Sequence, residues 1–125
     1  MLHRTLALAA VLGFAAGPLA AQAQPAQASE TTITGQVIDL NCYTTKGASG
    51  AGHVQCAKAC ANAGVPLAIL GSDGNIYVPV SSQMGAAQNA RLIPHAEQQV
   101  KVTGVTRMKN GLHTIEISSI EAASS

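Results

Sequence analysis

Every cysteine of this 125-residue chain falls between positions 42 and 60, and one histidine lies among them. The surrounding stretch runs from Asp39 to Gly64: Asp-Leu-Asn-Cys-Tyr, a glycine-rich loop, then His-Val-Gln-Cys-Ala-Lys-Ala-Cys. If residues 53–63 are helical, His53, Cys56 and Cys60 stand at i, i+3 and i+7 and share one stripe, because residues three and four apart lie on the same face. Gly47, Gly50 and Gly52 let the preceding loop fold back and bring Cys42 over that stripe. The chain therefore has to build a scaffold on which a Cys/His-rich helical cap can close.

The scaffold reads as mainly β with short helices, an α+β domain over residues 31–122 with the cap at 39–64. Thr31 to Leu40 is rich in β-branched residues and roughly alternating, so a first strand is expected there, with a bend or bulge at Gly35. After the cap helix, stopped by Gly64 and Pro66, Val65–Leu70 and Ile76–Val80 read as strands around a Gly-Ser-Asp-Gly-Asn turn. Pro79 places the outer part of the third strand at an edge. Ser81 and Ser82 cap a helix expected over 83–92, which Pro94 ends. Gln99–Val105 and Leu112–Ile120 form a last hairpin, with a bulge at Gly104 and the Asn-Gly turn signal at Asn110-Gly111. Five strands with a helix between the third and fourth resemble a small OB-type barrel.

The N-terminal residues carry an address. His3 and Arg4 precede an apolar stretch from Leu6 to Leu19, and Ala21-Gln22-Ala23 fits a small-x-small cleavage site, so residues 1–23 read as a signal peptide. The apolar run is too short and alanine-rich for a membrane span, so no stable insertion is expected after cleavage. Residues 24–30, rich in Ala and Gln, read as a disordered leader. The expected location is periplasmic or secreted. Without Arg4, six Lys and Arg balance six Asp and Glu, so the mature domain is formally neutral. That argues against nucleic acid, as does the lack of an aromatic stacking platform. Tyr43 and Tyr77 are the only aromatics after the signal, and a core of Val, Ile, Leu and Ala alone is thin for about a hundred residues. Domains of that kind often lean on a metal or a disulfide.

Both options concern the same residues. Cys42, His53, Cys56 and Cys60 form C-x10-H-x2-C-x3-C, a soft donor set suited to Cu(I) or Zn(II) and unsuited to Mg or Ca. The alternative is a non-enzymatic periplasmic binding or assembly domain whose cap is stapled by a disulfide, as an oxidising compartment favours. Cys42 would pair with Cys56 or Cys60. Cys56 with Cys60 would be strained, because helical i,i+4 Cβ atoms are about 5–6 Å apart and a disulfide wants about 3.5–4.5 Å. The metal reading employs all four groups, whereas the staple leaves His53 unused, so metal binding ranks first. Thiol catalysis ranks lowest: there is no C-x-x-C motif and no further acid–base pair, so no enzymatic activity is expected. A periplasmic protein partner fits a metal-handling role. Asp39 is a candidate to accept a hydrogen bond from His53 or to cap the turn after the first strand. His95 reads as a solvated loop residue and His113 as partly buried at a strand end.

The combination Thr34-Gly-Gln-Val-Ile-Asp-Leu-Asn-Cys-Tyr43, His53-Val-Gln-Cys-Ala-Lys-Ala-Cys60 and Gly64-Val-Pro66 resembles a group of small exported bacterial OB-fold-like proteins. The tail from Val100 to Gly104 and its Asn-Gly hairpin are similar to the last two strands of such domains. The resemblance spans about Thr31 to Ile120 and implies the fold and the exported address. The metal ligands rest on residue type and spacing alone.

Overall fold

A computed structural model describes residues 30–124. The expected signal peptide and nearly all of the leader lie outside the described residues; Glu30 already belongs to the first strand. Five strands dominate: β1 (Glu30–Asp39), β2 (Leu67–Gly71), β3 (Ile76–Val80), β4 (Gln99–Lys109) and β5 (Leu112–Ala122). Three short helices accompany them: α1 (Leu40–Lys46), α2 (Val54–Asn62) and α3 (Asn89–Leu92). The strands close into a barrel in the order β1-β2-β3-β5-β4, antiparallel except where β3 runs parallel to β5. The α+β class read from the pattern is the class observed.

Alternation fills the barrel. Ile33 and Val37 on β1, Leu67 and Ile69 on β2, Val100 and Val102 on β4, and Ile115 and Ile117 on β5 form one buried cluster. These positions are two apart on β2, β4 and β5 and four apart on β1, so on each strand they share a face. Ala61 of α2 and Leu92 of α3 join the same cluster from the helices. Ile38 has the opposite parity yet is fully buried, as is Ala57, with Cys42 largely buried too, where α1 and α2 pack on β1.

The punctuation residues act largely as their chemistry suggests. Asn110 and Gly111 both have positive φ, 52° and 83°, which a two-residue hairpin with the strand twist requires. The β4–β5 register shifts between Thr103 and Gly104, and a Cβ at 104 would run into the Glu116 backbone, so only glycine fits. β3 pairs with β2 only through Ile76 and Tyr77, so its outer part, which includes Pro79, is paired on the β5 side alone.

Two helical expectations change. The chain after Asp39 is a helix rather than open loop: Asp39 caps α1 by accepting from the Cys42 N–H at 2.9 Å, and Gly47, at φ 67°, closes it. In the other direction, the helix expected over 83–92 is confined to α3. The Ser81 hydroxyl does accept from the Gln83 N–H, but Gly85 at φ 73° interrupts the run before a helix forms. Asn89 then ties the pieces together. Its side chain accepts from the Leu67 N–H and donates to the carbonyls of Ala61 and Val65, pinning the end of α2 to the start of β2.

Candidate metal centre

The cap is delivered from two directions. β1 ends at Asp39, which is fully buried, and α1 carries Cys42, 8 % exposed, one turn further on. After the turn at 47–50, a single 3-10 turn over Ala51–His53 leads into α2, which carries Cys56 and Cys60. His53 therefore lies at the entry to the expected helix rather than within it. The three-residue step from His53 to Cys56 still keeps them on one side.

The donor atoms gather into two overlapping groups. In one, Cys42, His53 and Cys56 place a ligand atom each within 4.8 Å of one another; in the other, Asp39, Cys42 and Cys60 do the same. Cys42 belongs to both. Cys60, expected alongside the first three, is grouped with Asp39 instead, and Asp39 stands next to the thiols rather than behind His53. These Cys and His side chains are able to hold a metal ion. All three cysteines are free thiols, with no pair at disulfide distance: Cys42 is buried, Cys60 half-buried and Cys56 exposed.

The partner of His53 is Glu97, a residue that sequence reasoning passed over. His53 Nδ1 donates to Glu97 Oε1 at 2.9 Å, and the Glu97 side chain has no exposed area. Glu97 Oε2 also accepts from the Gly50 N–H at 2.7 Å and from the Gln36 side-chain amide at 3.1 Å. One buried carboxylate thus joins the cap, β1 and the segment before β4. It does so from a left-handed backbone, φ 65°, held by the Glu97 N–H donating to Val37 O. A non-glycine residue costs about 1–2 kcal/mol in that region, and such strain tends to sit at functional sites. Because a carboxylate only accepts, Nδ1 donates to it, and Nε2 is the nitrogen turned away from Glu97. That is how a histidine is set up to bind a metal: its other nitrogen donates to a carboxylate that fixes tautomer and ring orientation.

The thiols are poised for coordination rather than attack. Burial pushes the Cys42 thiol above its ordinary value, and the Asp39 charge and Cys56 add to the effect while Lys46 opposes it. Cys60 is pushed up to about 11, first by its side-chain hydrogen bond with the Asp39 carboxylate, then by burial and by its interaction with Cys56. Both stay protonated at neutral pH until something displaces the proton, the reverse of an activated nucleophile. Asp39 is thus surrounded by the cap's own groups. Its Oδ1 accepts from the Cys42 N–H, and the buried carboxylate also interacts with the Cys60 and Cys42 thiols.

The clefts that indent the barrel wall are elsewhere. One of about 380 Å³ is lined by residues including Val80, Ser82, Arg91 and Glu116, and one of about 470 Å³ by residues including Leu40, Ile76 and His113; neither contains a cap donor. His113 is half-buried and meets the Tyr77 ring edge-on at 5.5 Å. His95 is half-buried too, with Nδ1 lacking a partner, so it is less solvated than its loop context suggests. Comparison with protein-family profiles, curated proteins and solved structures finds no match for this chain.

Proposed function

We propose that this is an exported, non-enzymatic metal-binding protein: an OB-type barrel whose cap holds a thiophilic ion, Cu(I) or Zn(II), for metal handling or structural closure. The observation that carries the reading is the grouping of Cys42, Cys56 and His53, with His53 oriented by the buried Glu97. An unassigned histidine has no need of a fully buried carboxylate on one nitrogen, whereas a ligating histidine commonly has one. Cys60 is the further thiol of the set. The strand order, with β1 between β2 and β4 and β3 parallel to β5, supports the OB-type assignment. The apolar stretch and Ala-x-Ala site at the N-terminus support export, and neutral charge speaks against nucleic acid.

Binding an ion here displaces thiol protons, so affinity should rise with pH. Each proton displaced from a thiol titrating above the working pH changes the apparent affinity by about tenfold per pH unit. The deciding experiment is elemental analysis with native mass spectrometry on protein purified from its exported fraction without added metal. One or more Cu or Zn per chain, at the mass of three reduced cysteines, is expected. A metal-free chain lighter by two hydrogens would replace the reading with a disulfide-stapled cap, and His53→Ala with undiminished metal content would remove His53 from the ligand set.

A further inference from the structure

Asp39 is the residue that a single ion on Cys42, His53 and Cys56 does not explain. It is fully buried, and its Oδ1 is committed to the Cys42 N–H at 2.9 Å, which fixes how the carboxylate is turned. The rest of the carboxylate faces the thiols of Cys60 and Cys42, which interact with it. A thiol is a weak donor, and both of these thiols are themselves metal ligands by type.

We infer that the cap holds two divalent ions of the zinc type, bridged by the Cys42 thiolate: one on Cys42, His53 and Cys56, the other on Asp39, Cys42 and Cys60. The inference rests on the metal-binding reading above and adds a ligand, a second ion and the charge class of both. The geometry carries it first. The five donors fall into two triads that share only Cys42, each with ligand atoms mutually within 4.8 Å. Zinc–thiolate bonds of about 2.3 Å put two tetrahedral sulfur ligands roughly 3.8 Å apart, so a contraction of about an ångström closes either triad. A tetrahedral ion takes four ligands, so five donors exceed what a single ion can use.

Donor chemistry sets the ion class. A carboxylate is a hard ligand that zinc accepts alongside thiolate and Cu(I) does not favour. Charge points the same way. With ligands ionised, as coordination requires, three thiolates and Asp39 bring four negative charges into a cap flanked by Glu97 and Lys46, whose charges oppose each other. Two divalent ions neutralise the cluster, whereas one leaves two negative charges at a buried site, which is costly. The positions are also unequal. The His53 triad includes the exposed Cys56, while the Asp39 triad rests on a fully buried carboxylate, so the first ion should exchange faster than the second.

The test is titration of the reduced, purified chain with Zn(II) alone against a chelator, read by native mass spectrometry. Two ions per chain are expected for the unaltered protein and one for Asp39→Asn. That variant keeps a side-chain oxygen to cap α1; should circular dichroism show it unfolded, Cys60→Ser is expected to give the same drop from two to one. Co(II) in place of Zn(II) should show magnetic coupling, with electron paramagnetic resonance intensity falling as the second equivalent binds. One ion in the unaltered chain, two still held by folded Asp39→Asn, or two uncoupled Co(II) ions would overturn the bridged pair and leave the single-ion reading standing. No ion bound would overturn both.

Discussion

The barrel wall and the cap treat a carboxylate in opposite ways. On the wall, Glu116 accepts from the backbone N–H and hydroxyl of Ser82 through Oε1 and from Arg107 at 3.2 Å through Oε2, so both oxygens are engaged although the side chain is partly in water. In the cap, Asp39 is wholly removed from water, and besides the Cys42 N–H it has only weakly donating thiols beside it. Solvent would have satisfied Glu116 at little cost, yet the fold gives it strong donors; solvent cannot reach Asp39, and the fold sets weak thiol donors beside it. The wall finishes its own hydrogen bonding and supplies stability. The cap holds several polar groups in place without finishing them, which is what a binding site needs.

If that division is right, the largest stability effects belong to the wall. Ile69 is fully buried in the barrel cluster, and Ile69→Ala should lower unfolding free energy by about 2–5 kcal/mol, through lost burial and the cavity left behind. Urea unfolding of the metal-free chain reads this directly. Cys56→Ser, at an exposed cap position, should change it by about 0.5 kcal/mol or less. Comparable losses at both positions would mean that cap and wall share one structural role.

Glu97 stands at the seam, so its substitution should register on both sides. Glu97→Ala strands the Gly50 N–H, the Gln36 amide and His53 Nδ1. The expected cost is on the order of 1–3 kcal/mol in the metal-free chain, and metal affinity should fall about 10–100-fold if His53 is a ligand, because its orienting partner is gone. Glu97→Gly offers a sharper comparison. It removes the same side chain but relieves the left-handed backbone at φ 65°, so it should be more stable than Glu97→Ala by about 1 kcal/mol while losing as much affinity. A stability loss without an affinity loss would make Glu97 a strut and nothing more.

How far these regions were legible in the sequence follows from the range of their interactions. The wall is built from local signals: alternating Val and Ile, an Asn-Gly turn, a glycine where the ladder slips. Each is written within a few residues, and the strands appear where those signals fall. The cap depends on pairings that no spacing reveals. His53 and Glu97 are 44 positions apart, and Glu97 sits in Pro94-His-Ala-Glu-Gln98 with no pattern to single it out. Helix α1 escaped for a different reason. Asn-Cys-Tyr-Thr-Thr is poor in helix formers, and its stability comes from the Asp39 cap, the Gly47 terminus and packing on β1. The cap and terminator were visible; the packing that makes a seven-residue helix worthwhile was not. The same weighing misled over 83–92, where serine caps and alanines suggested a helix that only its last four residues form.

The smallest expected effect tests whether the wall's self-sufficiency contributes under acid stress. Glu116 is held below the usual glutamate range, chiefly by the Ser82 hydroxyl and N–H, with Arg107 adding to them. A carboxylate whose folded pKa lies below its unfolded one, about 4.3, binds protons more readily when unfolded. Its stabilisation is complete above that unfolded value and is lost as pH falls through the lower folded one. Unfolding midpoints of the unaltered chain should therefore decline on the acid side in part because of Glu116. In Glu116→Gln, which cannot titrate, the decline should be shallower below about pH 4, with a lower plateau at neutral pH. The side chain is 30 % exposed and screened by solvent, so the change should be modest and should shrink further in high salt. An acid limb of unchanged slope in Glu116→Gln would mean that the paired carboxylate on the wall contributes no more than a solvated one. The contrast with Asp39 would then rest on burial alone.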